Sequence, residues 1–213
     1  MFIAKPVRDA LAEALVERGF DAGRGNLFQR RSADGTSAIS FVTDKWGGPP
    51  TRVRFTAHVG FLSNRLAAVF GQGALRVLAE DTVHWYRWVG YLGAGHERPE
   101  PTDDDFEPKD IMWHIPATRQ AVMTEVIPAL DGRALPALEA HSSDTALRDE
   151  WLEHEDPFLH RSTQASYLAV LVDALGPASV REDLMVWVRE MADGGSSDAQ
   201  LALAAIERDH ARA

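Results

Sequence analysis

The chain has 213 residues, no cysteine, and 32 acidic against 22 basic side chains, for a net charge of −10. That length buries a sizeable core without covalent staples, and the missing cysteines exclude disulfides, thiolate zinc sites and cysteine nucleophiles together. Binding nucleic acid through its phosphates needs a basic stripe that this sequence lacks, and no stretch nears the roughly 18 apolar residues of a membrane span, so neither nucleic acid nor a membrane is expected as a partner.

Met1-Phe2-Ile3-Ala4 meets Lys5, Pro6, Arg8 and Asp9 before an apolar signal segment can form, which predicts a cytoplasmic protein. Lysine occurs only at Lys5, Lys45 and Lys109, and the dominance of arginine and alanine points to a GC-rich bacterial genome. Val7, Leu11, Ala14 and Leu15 recur at helical spacing, predicting an amphipathic helix over residues 5 to 18 that Gly19 caps. After a turn from Asp21 to Asn26 come three strand-like runs, Leu27 to Arg31, Ala38 to Thr43 and Arg52 to Phe61. Asp34-Gly35 marks a hairpin between the first two, and Trp46-Gly47-Gly48-Pro49-Pro50 a loop before the third. The third run alternates, with Val53, Phe55, Ala57, Val59 and Phe61 on one face and Arg52, Arg54, Thr56 and His58 on the other.

Residues 63 to 78 read as a helix interrupted by Gly71 and Gly73. His84 to Leu92 reads as a strand, with Trp85, Arg87, Val89 and Tyr91 on one face and His84, Tyr86 and Trp88 on the other. An acidic, proline-bearing loop from His96 leads to a short strand over Asp110 to Ile115, and Pro116 suits the first turn of a helix running to about Leu130. From the 140s onward only helical signals remain. Asp144 is placed to cap a helix through Leu152, while Tyr167, Leu168, Leu171, Val172 and Leu175 form an apolar stripe ended by Gly176-Pro177. Ser179 with Glu182 and Ser197 with Gln200 fit the capping-box pattern. The expectation is an α+β fold: an N-terminal helix and an antiparallel meander of about 4–5 strands packed on helices, followed by a helical extension. A core domain over 1–155 and an extension over 156–213 are expected.

Several of these features stand in a familiar order. Gly19-Phe20, Phe28 with Arg30 and Arg31, Phe41 followed by Lys45-Trp46, and Phe55 to Val59-Gly60 lead to His84-Trp85 with Arg87 and Gly90-Tyr91-Leu92, then Asp110 with Trp113 and Leu135-Pro136-Ala137-Leu138. Over about residues 5–155 the chain resembles the bacterial domain-of-unknown-function family numbered 4304. The resemblance implies an α+β fold, and the family has no assigned activity to carry over.

The polar face of the third strand is the place for a site. Arg54, Thr56 and His58 share it, and neighbouring strands are expected to add Arg30, Ser40 and one of the two faces of His84 to Trp88. Arginine offers a planar donor fork, histidine titrates near neutrality and tryptophan stacks, which together suit an anionic ligand. In this reading Arg54 and Arg87 hold charge, His58 or His84 orients the ligand or exchanges a proton, and Trp85 or Trp88 forms a wall. The competing reading is a merely solvated face. No histidine spacing fits a metal site, and neither Gly71-Gln72-Gly73 nor Gly93-Ala94-Gly95 continues into a dinucleotide fingerprint, so no metal and no cofactor are expected. Glu153-His154-Glu155-Asp156 with His160 reads as an exposed helix end and turn, and Trp151 and Trp187 read as core. Two functions follow. The favoured one is a non-catalytic binding or interaction protein holding a protein partner or an anionic small molecule. The alternative is an enzyme using His58 or His84 as acid or base beside Arg54 and Arg87.

Overall fold

The computed structural model describes residues 3–22, 25–43, 51–79, 81–89 and 113–212. Helix α1 (Lys5–Val16) buries Val7, Ala10, Leu11, Ala14 and Leu15, the stripe its spacing predicts. Gly19, at φ +79°, turns the chain at the end of this helix, where the Phe20 amide donates to the Leu15 carbonyl and the Phe20 ring enters the core.

Five strands then run as an antiparallel meander: β1 (Asp21–Ala22), β2 (Leu27–Arg31), β3 (Gly35–Thr43), β4 (Arg52–Ser63) and β5 (Trp85–Trp88). A sixth, β6 (Trp113–Pro116), pairs with β4. The organising element is β4. Its twelve residues pair along one edge with β3, from Gly35 opposite Ser63 to Thr43 opposite Phe55, and its other edge is divided between two short strands. There β5 takes residues 58 to 61 and β6 takes residues 52 to 55.

The two sheet faces differ in kind. Phe28, Ile39, Phe41, Phe55, Ala57, Val59, Phe61 and Trp85 lie in the main core beneath the helices. The second face carries a smaller cluster, with Leu27, Ala38, Leu62, Leu78, Val83 and Tyr86 buried and Leu75, Trp88 and Phe158 packed against them. The alternation of Arg52 to Phe61 therefore separates a full core from a partly covered, mixed face. Gly60 makes that cover possible: a Cβ there would stand 2.7 Å from Leu78 Cδ1 and 2.9 Å from the Trp85 carbonyl.

Helix α2 (Asn64–Phe70) starts at Ser63, whose hydroxyl accepts from the Leu66 amide, and stops at Gly71, at φ +71°. It is shorter than the 63–78 stretch expected. The next helix begins later than expected, because Pro116 closes β6 and Thr118 provides the cap by accepting from the Ala121 amide. This helix, α3, then runs over residues 119–140, well beyond Leu130. It contains two π turns, Val122–Val126 and Leu130–Ala134, and Pro128 and Pro136 each lie two residues beyond one. A proline has no amide to give and its ring crowds the carbonyl four residues back; a widened turn accommodates both without ending the helix.

Four helices complete the chain, α4 (Asp144–Glu153), α5 (Arg161–Leu175), α6 (Ala178–Asp193) and α7 (Ser197–His210). Their caps shift by a residue or more from expectation. Ser143 caps α4 in place of Asp144, Ser196 caps α7 in place of Ser197, and α6 starts at Pro177 with no side-chain cap, which puts Ser179 inside its first turn. Adjacent polar residues compete for each cap, and the one left in extended conformation wins. Buried Leu171 and Val172 of α5, Val188 of α6 and Ala202 of α7 belong to the same hydrophobic cluster as the sheet.

Gly35 opens β3 where a Cβ would stand 2.2 Å from the Leu62 carbonyl oxygen and 2.6 Å from Phe61 Cζ. A backbone atom cannot yield cheaply, so Gly35→Ala is expected to destabilise the fold by about 1–3 kcal/mol in urea denaturation, as overpacking does. Gly73→Ala, with no heavy atom within 4 Å, is the control and should leave the midpoint nearly unchanged. Equal midpoints for the two variants would contradict the packing described.

Candidate functional site

Strand register decides which predicted residues meet. On the second face, Ser40, His58 and Trp88 stand in one row across β3, β4 and β5, and Ala38, Gly60 and Tyr86 form the next. Arg54 is on the same face of β4, half-buried and opposite His114 of β6. It stands four positions along the strand from His58, about 13 Å at strand rise. Arg30 does not join them. Register pairs Leu27 with Ser40 and Gln29 with Ala38, so Gln29 faces this way, where its side-chain amide donates to the Leu75 carbonyl, and Arg30 lies over the Phe20 ring on the other face.

His58 is half-buried and stacked on Trp88, with ring centroids 5.2 Å apart and planes 13° from parallel. The Tyr86 hydroxyl lies 2.7 Å from His58 Nδ1 and accepts from Trp88 Nε1 at 3.0 Å. With the hydroxyl accepting from the indole and giving its own proton to Nδ1, the imidazole carries its proton on Nε2; this tautomer is assigned from the network. Burial lowers the His58 pKa from 6.5 to about 4, so the ring is neutral at pH 7. The row is an uncharged aromatic and hydrogen-bonding surface. Tyr86, which links its parts, stood on the same face as Trp88 in the alternation but gave no chemical signal of its own.

Arg87 and Trp85 face the opposite way. Arg87 is opposite Val59 and Trp85 opposite Phe61, so both point into the main core. There Arg87 Nη1 donates to both carboxylate oxygens of Asp156, at 3.0 and 3.1 Å, and to the Tyr86 carbonyl at 2.7 Å. Its guanidinium lies over the Trp85 and Phe158 rings, and Trp85 also stacks on His141 with centroids 4.3 Å apart. Asp156 accepts from the Phe158 amide, and Gln164 bridges the Asp156 amide and the His154 carbonyl. Asp156 is therefore a buried structural partner, although Glu153 to Asp156 reads in the sequence as exposed. Arg87 supplies no free charge to the second face, because the pleat directs it away from His58 and Asp156 neutralises it. Trp187, expected in the core, is 37% exposed, and Arg161 covers its ring. Trp151 is buried as expected.

His84 precedes β5 and is fully buried, with its Nδ1 accepting from the Ser63 amide at 2.9 Å. Burial lowers its pKa to about 3. Ser63 Oγ donates to Asp144 Oδ1 at 2.6 Å, and Asp144 Oδ2 accepts from Arg65 Nε at 3.1 Å. Serine, histidine and aspartate thus lie close together without forming a nucleophile, because His84 meets the backbone of Ser63 and leaves its hydroxyl to cap α2. His96, Asp103, Asp104, Asp105, Gly93 and Gly95 lie outside the described residues. Among the described residues no three potential ligand side chains stand together as a metal set. Comparison with known protein families, with curated proteins and with solved structures finds no match.

Removing one member of a buried ion pair leaves the other uncompensated, at a cost of about 3–5 kcal/mol. Asp156→Asn should lose stability on that scale in urea denaturation, while the joint replacement Arg87→Met/Asp156→Leu should lose clearly less. Additive losses would show that the two side chains do not act as a pair.

Proposed function

We propose that this chain is a non-catalytic binding protein of the bacterial cytosol that holds a protein segment or an anionic small molecule on the second face of its sheet. The observation that carries this reading is the separation of the groups an enzyme would need together. His58 and Trp88 share a row, Arg54 stands about 13 Å along the same strand face, and Arg87 is held across the sheet by Asp156. An efficient acid or base has a pKa near the working pH, whereas His58 sits at about 4 and His84 at about 3 inside the core. What the face offers is a flat stack, an Nε2–H donor and, further along, a guanidinium. A partner lays its planar part against His58 and Trp88 and directs its negative charge toward Arg54. The acidic balance of the chain argues against nucleic acid in this role.

The test is to pass a bacterial small-molecule extract and a peptide library over the immobilised protein and identify what is retained by mass spectrometry. The expected result is a compound or peptide recovered chemically unchanged and lost from both Trp88→Ala and Arg54→Ala, each still folded. A retained compound that is converted over successive cycles would refute the non-catalytic reading.

A further inference from the structure

Away from the sheet's second face, a cleft of about 570 Å³ opens between the β2–β3 hairpin, α2 and the end of α7. Its floor is built. Asp144, with its side chain 10% exposed, is held at one oxygen by the fully buried Ser63 and takes Arg65 Nε on the other. That contact fixes the Arg65 guanidinium by its inner edge, and no described side chain engages its two Nη groups. Arg208 in the last turn of α7 and Arg212, two residues beyond the helix, line the same cleft, as do Asp34 at the hairpin tip and Asp209, all four exposed to solvent. None of these last four has a side-chain partner among the described residues.

Apart from the Arg65–Asp144 pair, exposed charges of both signs thus line one cavity without pairing among the described residues. A site for a simple anion would not place Asp34 and Asp209 beside its arginines, and a site for a simple cation would not place the arginines there. An occupant carrying both charges satisfies all of them, with the fixed Arg65 fork preorganised for a carboxylate. We propose that this cleft binds a small zwitterion of the α-amino-acid type, its carboxylate on Arg65, Arg208 and Arg212 and its ammonium on Asp34 and Asp209. The site is separate from the His58 row and does not rest on the function proposed for it.

The test is amide NMR of the full chain titrated with free amino acids up to about 10 mM, a weak-binding range. Acetate and methylammonium serve as single-charge probes. Saturable shifts at Ala33, Ala68 and Ala205, which line the cleft, are expected with at least one amino acid. They should weaken by about tenfold, one factor of ten in Kd, in Arg208→Gln and again in Asp34→Asn. His58→Ala should leave the titration unchanged, so the two sites succeed or fail separately. No saturable response to any amino acid, an equal response to acetate alone, or unchanged affinity in both charge variants would each overturn the proposal.

Discussion

The ion pair between Arg87 and Asp156 is the contact on which the remaining arrangement turns. A guanidinium cannot be left uncompensated in a core, so the pleat that sends Arg87 inward requires an acidic partner to meet it. Asp156 comes from the segment between α4 and α5, and meeting Arg87 ties that segment to the edge of β5. Phe158 follows within two residues, its amide on the Asp156 carboxylate and its ring against Tyr86. Gln164 then links the same segment to the first turns of α5. One electrostatic requirement thereby joins sheet, loop and helical extension.

The same contact shapes the second face. With Arg87 and Trp85 committed to the core side, alternation leaves Tyr86 and Trp88 beside His58, and the hydroxyl and indole close a network that stabilises the neutral imidazole. Desolvation acts in the same direction on His58 and His84, lowering both pKa values. Since the unfolded chain takes up protons at these histidines near pH 6.5 and the folded chain does not, folded stability falls as the pH drops from there toward 4. A face of this kind has little means to move a proton at neutral pH.

Much of this was legible in the residues. The period-two pattern of Arg52 to Phe61 predicts both faces of β4, and the Gly-Phe step at residues 19 and 20 predicts the end of α1, because each depends on chemistry local to the chain. Arg30 was harder to place, since Leu27 and Phe28 are both apolar and both buried, and only the pairing of Leu27 with Ser40 decides which way the strand faces. Asp156 was hidden for a different reason. Its partner is 69 residues away, and an acidic run beside a helix end looks the same in sequence whether solvent or a guanidinium receives it. The continuation of α3 through Pro128 and Pro136 likewise depends on π turns that no propensity signals.

Whether the His58 row is uncharged at neutral pH is read out by following the His58 imidazole with ¹⁵N-resolved NMR as the pH is lowered. The ring is expected to be neutral and protonated at Nε2 throughout the physiological range, titrating only as the pH approaches 4. A midpoint near the ordinary value of 6.5, or a proton residing on Nδ1, would contradict it.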